Sequence, residues 1–177
     1  VHTIDYDRFK LQTEFFSNDM FIIEDAAQSF GAYYKGIPSG KLGDISVLSF
    51  DPTKNLPNYG SGGMVLTDNS YLAEAILDLR NNGKLGGNEL FGTNSRMSES
   101  DCAQMLVKLQ HFDSWQARRT EIAEYYTERL QEYVDVVEPE RDVDSAWHKY
   151  VIRTSDRSGL KHWLAMRGIE TKVHYEK

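Results

Sequence analysis

Three short apolar runs, each closed by acidic or proline punctuation, constrain this 177-residue chain more than any other feature. Phe21-Ile22-Ile23 runs straight into Glu24-Asp25, Ile45 to Phe50 runs into Asp51-Pro52, and Gly63 to Thr67 runs into Asp68. Runs of this length read as strands, and the first has the continuous apolar character of a strand buried on both faces. The three are expected to share one sheet. Polar residues at the carboxyl ends of such strands stand where α/β proteins place their chemistry.

Helical spacing fills much of the rest. Leu72, Ala75, Ile76 and Leu79 recur on one face between Asn69 and Asn82, with Ser70 or Asn69 able to cap the start and Gly83 able to close the end. Ser98 and Asp101 resemble a capping box ahead of Cys102, Met105, Leu106, Leu109 and Phe112, and the pattern runs on to about Tyr133 as one long helix or two abutting ones. A polar, proline-bearing stretch from Glu138 to Ser145 marks a boundary near residue 140. Beyond it the pattern predicts a strand from Trp147 to Arg153, a helix from Ser158 to Arg167 and a strand from Ile169 to Tyr175. No internal repeat is present.

Charge and composition remove several function classes. A formal net charge of -7 with no Lys/Arg cluster speaks against nucleic acid as a partner. No stretch approaches the ~20 apolar residues that span a bilayer, and the opening VHTIDYDRFK lacks a signal peptide's apolar core, so no membrane partner and a cytoplasmic location are expected. Cys102 is the single cysteine, which excludes an internal disulfide and a cysteine-based zinc site and leaves a buried thiol as the expectation. Nothing in the spacing of Asp25, Asp44 and Asp51 requires a metal site. Both ends have the look of cut ends.

The candidate chemistry lies at two strand ends. A carboxylate such as Asp25 could bind metal, act as a base, or pair with a cationic ring nitrogen. Lys54 follows the second strand on a turn set by Pro52, where a half-buried lysine suits Schiff-base chemistry because desolvation favours the neutral, nucleophilic amine. Ser49 stands five residues earlier, and Tyr59-Gly60-Ser61-Gly62-Gly63 follows, so hydroxyl and backbone N–H groups could gather around an anion near the lysine.

The stretches IIEDAAQSFGAYYKG, GKLGDISVLSFDPTKNL, GSGGMVLTD, GTNSRMSE and SAWHKYVIR, in that order, resemble the DegT/DnrJ/EryC1/StrS family of sugar aminotransferases over nearly the whole chain. The resemblance implies a fold-type I enzyme dependent on pyridoxal 5'-phosphate (PLP). Such an enzyme has a mostly parallel sheet flanked by helices and a smaller C-terminal α/β domain. Residues 1–140 would be part of the large PLP-binding domain and residues 141–177 the start of the small one.

Carried onto this sequence, the resemblance makes Lys54 the residue that holds PLP covalently and later moves protons, and Asp25 the partner of the pyridine nitrogen. Gln28 would lie beside the ring, Ser49 would bind the cofactor phosphate, and Asn94 would reach the phosphate of a neighbouring subunit's cofactor, which implies a homodimer. His148, His174 and Tyr175 would lie near the sugar nucleotide or at the domain junction. The implied reaction moves an amino group from an amino acid, glutamate above all, to a keto sugar linked to a nucleotide. It would serve a surface polysaccharide or a glycosylated metabolite. The presence of Lys54, where dehydrating relatives carry histidine, favours amino transfer. Ser61 stands where relatives often carry an acidic residue, and the family's Gly-Thr phosphate loop and ring-stacking aromatic have no counterpart in this sequence. The alternative is therefore a truncated, non-catalytic fragment or homologue that keeps only the fold and the dimer surface.

Overall fold

Parallel pairing of the first two apolar runs sets the architecture. In the computed structural model, which describes residues 4–16, 20–84 and 91–173, strand β1 (Ile23–Asp25) lies parallel to the longer run, with Asp25 opposite Val47. Two hairpin strands, β2 (Tyr33–Tyr34) and β3 (Ile37–Pro38), intervene, so the longer run is β4 (Ile45–Ser49). The third run is β5 (Gly63–Leu66), which pairs antiparallel with β4 and places Gly63 opposite Ser49. The expected single sheet forms in the order β1-β4-β5.

Alternation along these strands sorts the side chains into two faces. Glu24, Ser46 and Leu48 point one way, and Leu48 enters the core it makes with Ala26, Phe50, Leu56, Met105 and Phe112. Helix α3 (Glu99–Leu109) supplies Met105 and helix α4 (Phe112–Leu130) supplies Phe112, so the two helices cover this face. Phe30 seals the joint, its ring 4.8 Å from that of Phe112. The chain beside it must be glycine: Gly31 has φ +90°, and a Cβ there would sit 2.7 Å from the Phe112 ring.

The opposite face carries Ile23, Asp25, Ile45, Val47, Ser49 and Val65, and at its β1 edge Ile23 and Asp25 share a groove with Tyr6 and Phe9. This corrects the expectation that the first run is buried on both faces, since Phe21 is 75% and Ile23 71% exposed. The reason is positional. β1 is an edge strand among the described residues, paired on one side only.

Glu24 is the structural half of the Glu24-Asp25 pair. Its carboxylate accepts from Ser39 Oγ (2.9 Å), Gly40 N (2.8 Å), Leu42 N (2.9 Å) and Ser46 Oγ (2.8 Å), which ties the connection between β3 and β4 to the sheet. Glu24→Gln turns one acceptor oxygen into a donor facing other donors. Its expected cost is about 2–4 kcal/mol of stability, read from urea denaturation.

Helix α1 (Tyr6–Phe16), which the sequence pattern did not reveal, is anchored by the Tyr34 hydroxyl donating to Asp5 (3.0 Å). Helix α2 (Ser70–Arg80) starts as expected at Asn69, whose side chain accepts from Tyr71 N and Leu72 N. Ser98 caps α3 by accepting from Asp101 N, and the α3–α4 segment is two helices, broken at Gln110-His111. Cys102 is exposed on α3, contrary to the expected buried thiol, because Met105 and not Cys102 faces the core. Beyond α4, β6 (Asp135–Val136) pairs with β8 (Ile152–Arg153), while β7 (Val143–Asp144) returns to pair with β2.

Of the expected Trp147–Arg153 strand only β8 is extended. Trp147 takes φ 44°, and its N–H donates to Ser145 Oγ, a turn that breaks the run. Helix α5 (Arg157–Ala165) begins one residue before Ser158, with Asp156 as its cap. Residues 169–173 are irregular rather than a strand, and the rest of that expectation lies outside the described residues. No helix among the described residues is long and apolar enough to cross a membrane. None of the His, Cys, Asp and Glu side chains described forms a cluster able to hold a metal.

Candidate active site

Asp25 and Ser49 occupy the carboxyl ends of neighbouring parallel strands and point to the same face of the sheet. Ser49 lies two residues past Val47, the register partner of Asp25, so the two are separated by roughly 8 Å, from a rise of about 3.3 Å per residue and a strand spacing of about 4.8 Å. Asp25 Oδ1 accepts from Ala27 N (3.1 Å), a local turn that holds the carboxylate at the strand end. Asp25 and Gln28 together line a groove against Ile4, Tyr6 and Phe9 beside α1.

Past Ser49 the chain folds into a self-bonded loop that presents Lys54. Asp51 Oδ1 accepts from Thr53 N (2.9 Å) and Thr53 Oγ1 (2.7 Å), and Lys54 N donates to Asp51 O (2.9 Å). These Thr53 bonds, with the Lys54 charge, hold the Asp51 carboxyl below its usual range. Asn58 N donates to Phe50 O (2.8 Å) and closes the loop, while Lys108 of α3 donates to Pro57 O (2.7 Å) with its ammonium over the Tyr59 ring. Lys54 is half-buried.

His148 arrives from the far end of the chain. The Trp147 turn aims its Nδ1 at Asn55 Oδ1 (3.1 Å), next to Lys54. Burial, and then the charges of Lys149, Lys54 and Arg119, lower the imidazole to about 4 from an ordinary 6.5. Between these values the unfolded chain binds more protons than the folded one. The stability owed to neutral His148 is therefore complete above about pH 6.5 and is lost as pH falls towards 4. Unfolding at graded pH should lose on the order of 1 kcal/mol across that window, discounted for the ring's partial exposure, and His148→Gln should remove that part of the slope.

The remaining expected residues are not gathered here. Asn94 sits on an isolated bridge to Asn81 at the end of α2, exposed, where its Oδ1 accepts from Arg96 Nε (3.2 Å). His174 and Tyr175 lie outside the described residues. The sequence reading missed Glu24, Asn55 and Arg119. Their signal was weak because each acts through hydrogen bonds to residues distant in sequence, for example Arg119 Nη2 to Asn55 O (3.3 Å). A surface hollow lined by Gly40, Asp44, Leu66 and Asn69 lies at the opposite end of β4 from Lys54.

Comparison with known proteins identifies the family. The family model described as DegT/DnrJ/EryC1/StrS aminotransferase matches residues 16–177. The chain is similar to the erythromycin biosynthesis sensory transduction protein EryC1 of Saccharopolyspora erythraea, with 37% identity over 98% of this chain and 48% of that protein. It is also similar to the dTDP-3-amino-3,4,6-trideoxy-alpha-D-glucose transaminase of Streptomyces venezuelae, with 39% identity over 88% of this chain and 42% of that protein. Among solved structures, a DegT DnrJ EryC1 StrS aminotransferase from Brucella abortus superposes with a TM-score of 0.91 at 33% identity, covering 99% of this chain and 47% of that one. The chain thus spans about half the length of the relatives it matches.

Proposed function

Because this chain belongs to the DegT/DnrJ/EryC1/StrS aminotransferase family, a family of PLP-dependent enzymes, we propose that it acts as part of a sugar aminotransferase. The whole enzyme moves an amino group from an amino acid, glutamate, to the keto carbon of a nucleotide-linked sugar. The observation that carries this reading is the joint placement of Asp25, Ser49 and Lys54 around one sheet end. The Streptomyces relative, by name a dTDP-sugar transaminase, supports the substrate class.

The residues present fit the cofactor. Asp25 offers a carboxylate, Ser49 a hydroxyl and Lys54 an amine at one sheet end, a donor set that suits a cationic ring nitrogen, a phosphate and an aldehyde in turn. PLP supplies, when bound, an electron-accepting ring that stabilises negative charge on the carbon losing or gaining the proton. Asp25 would hold the ring nitrogen protonated, Gln28 would lie beside the ring, and Ser49 would donate its hydroxyl to the phosphate. Lys54 Nζ would hold the cofactor and move the proton of the reacting carbon. His148 would lie near the sugar nucleotide or at the domain junction, the role the family resemblance also gives His174 and Tyr175.

On this reading residues 1–140 would be part of the large PLP-binding domain and residues 141–177 the start of the small one, although β7 pairs back onto β2. A second copy completes the site through Asn94, whose exposure supports the homodimer, as does the exposed apolar side chain of Leu106 (64%) on α3. The enzyme works in the cytoplasm, where nucleotide-linked sugars are made. The test is the donor half-reaction. With the PLP-loaded protein, glutamate should shift the visible absorbance band to the near ultraviolet, and a nucleotide-linked keto sugar should restore it. No shift with any amino acid would overturn the proposal.

A further inference from the structure

We propose that Asn55 is a positioning residue for Lys54: its amide ties the lysine loop to the Ser145–His148 turn and holds His148 as the Nδ1–H tautomer, leaving Nε2 as an acceptor. Asn55 is 4% exposed, and its Nδ2 donates to Ala146 O (2.7 Å) and lies 3.4 Å from Phe30 O. Two carbonyls facing the amide nitrogen fix which way the amide points, so Oδ1 is the atom offered to His148. That oxygen only accepts, and His148 Nδ1 stands 3.1 Å from it, so Nδ1 carries the hydrogen. A neutral imidazole has a single N–H, which leaves the lone pair on Nε2.

The ring's surroundings keep it neutral. It is partly buried, with Lys54 on the loop after β4, Arg119 on α4 and Lys149 on its own segment as the charged neighbours. The main chain of Asn55 is held as well, since its carbonyl accepts from Arg119 Nη2 (3.3 Å). One residue thus joins the lysine loop to the β1–β2 connection, to α4 and to the turn before β8. Lys54 is held between this hub and the Asp51 turn on its other side. The consequence for the proposed reaction is a neutral proton acceptor beside the lysine in place of a further cation.

The test uses histidine 15N NMR on the cofactor-free protein, with His148 assigned by His148→Gln. His148 should show the Nδ1–H pattern and titrate near pH 4. In Asn55→Leu, which keeps the volume without polar atoms, the tautomers should mix, and borohydride trapping of PLP on Lys54 should slow at least tenfold. In Asn55→Asp the carboxylate should raise the His148 midpoint by one pH unit or more, and this variant serves if Asn55→Leu fails to fold. A wild-type His148 in the Nε2–H form, or an unchanged tautomer and midpoint in the folded variants, would overturn the proposal. The inference about Lys54 rests on the aminotransferase reading. The NMR result needs no cofactor, so failure of the wild-type protein to capture PLP would count against that reading and not against the tautomer assignment.

Discussion

Lys54→Ala is expected to abolish covalent capture of PLP and to lower amino transfer by the whole enzyme by at least about 10⁴-fold, because one amine serves as both attachment point and proton carrier. Lys54→Arg should fail equally, since a guanidinium keeps its charge and cannot become the neutral nucleophile. Neither change should unfold the protein. The loop is built from backbone and Asp51 bonds, including Lys54 N to Asp51 O, and these persist when the side chain is altered. A stability change within about 0.5 kcal/mol, measured by thermal unfolding, would separate loss of chemistry from loss of fold.

Asp25→Asn is the second large effect, and it falls on rate more than on cofactor binding. Asparagine keeps a carbonyl oxygen to accept from Ala27 N, so the strand end should retain its shape while losing its charge. A carboxylate and a protonated ring nitrogen about 4 Å apart, at an effective dielectric of about 20, interact by about 4 kcal/mol. That corresponds to a fall in turnover of roughly 10³-fold. PLP affinity should fall far less, because the Lys54 bond and the phosphate contacts remain. Stopped-flow measurement of the glutamate half-reaction, beside a PLP titration, separates the two effects.

The strand ends that carry Asp25, Ser49 and Lys54 were legible in the sequence from the apolar runs before them, and the structure has strands there. Their chemistry was not: a carboxylate or a lysine at a strand end fits several roles, and it was the resemblance of the motifs to a family that singled out one of them. What stayed hidden depends on contacts between distant segments. Glu24 reads as one more polar strand end until its carboxylate is seen accepting from residues on the connection between β3 and β4. The strand expected from Trp147 to Arg153 failed because a serine side chain and a left-handed tryptophan turn the chain towards Asn55. Apolar content alone carries no sign of that turn. Cys102 was misplaced for a similar reason: helical periodicity identifies a stripe, and the packing of Met105 and Phe112 decides which edge of it is buried.

The central claim is that Lys54 is the residue that holds the cofactor. The protein is incubated with PLP, its absorbance spectrum recorded, the adduct reduced with borohydride, and the labelled peptide mapped. A visible band that borohydride removes, with the label confined to Lys54, is the result this account predicts. Absence of the band, or label scattered over exposed lysines such as Lys41 and Lys172, would contradict it.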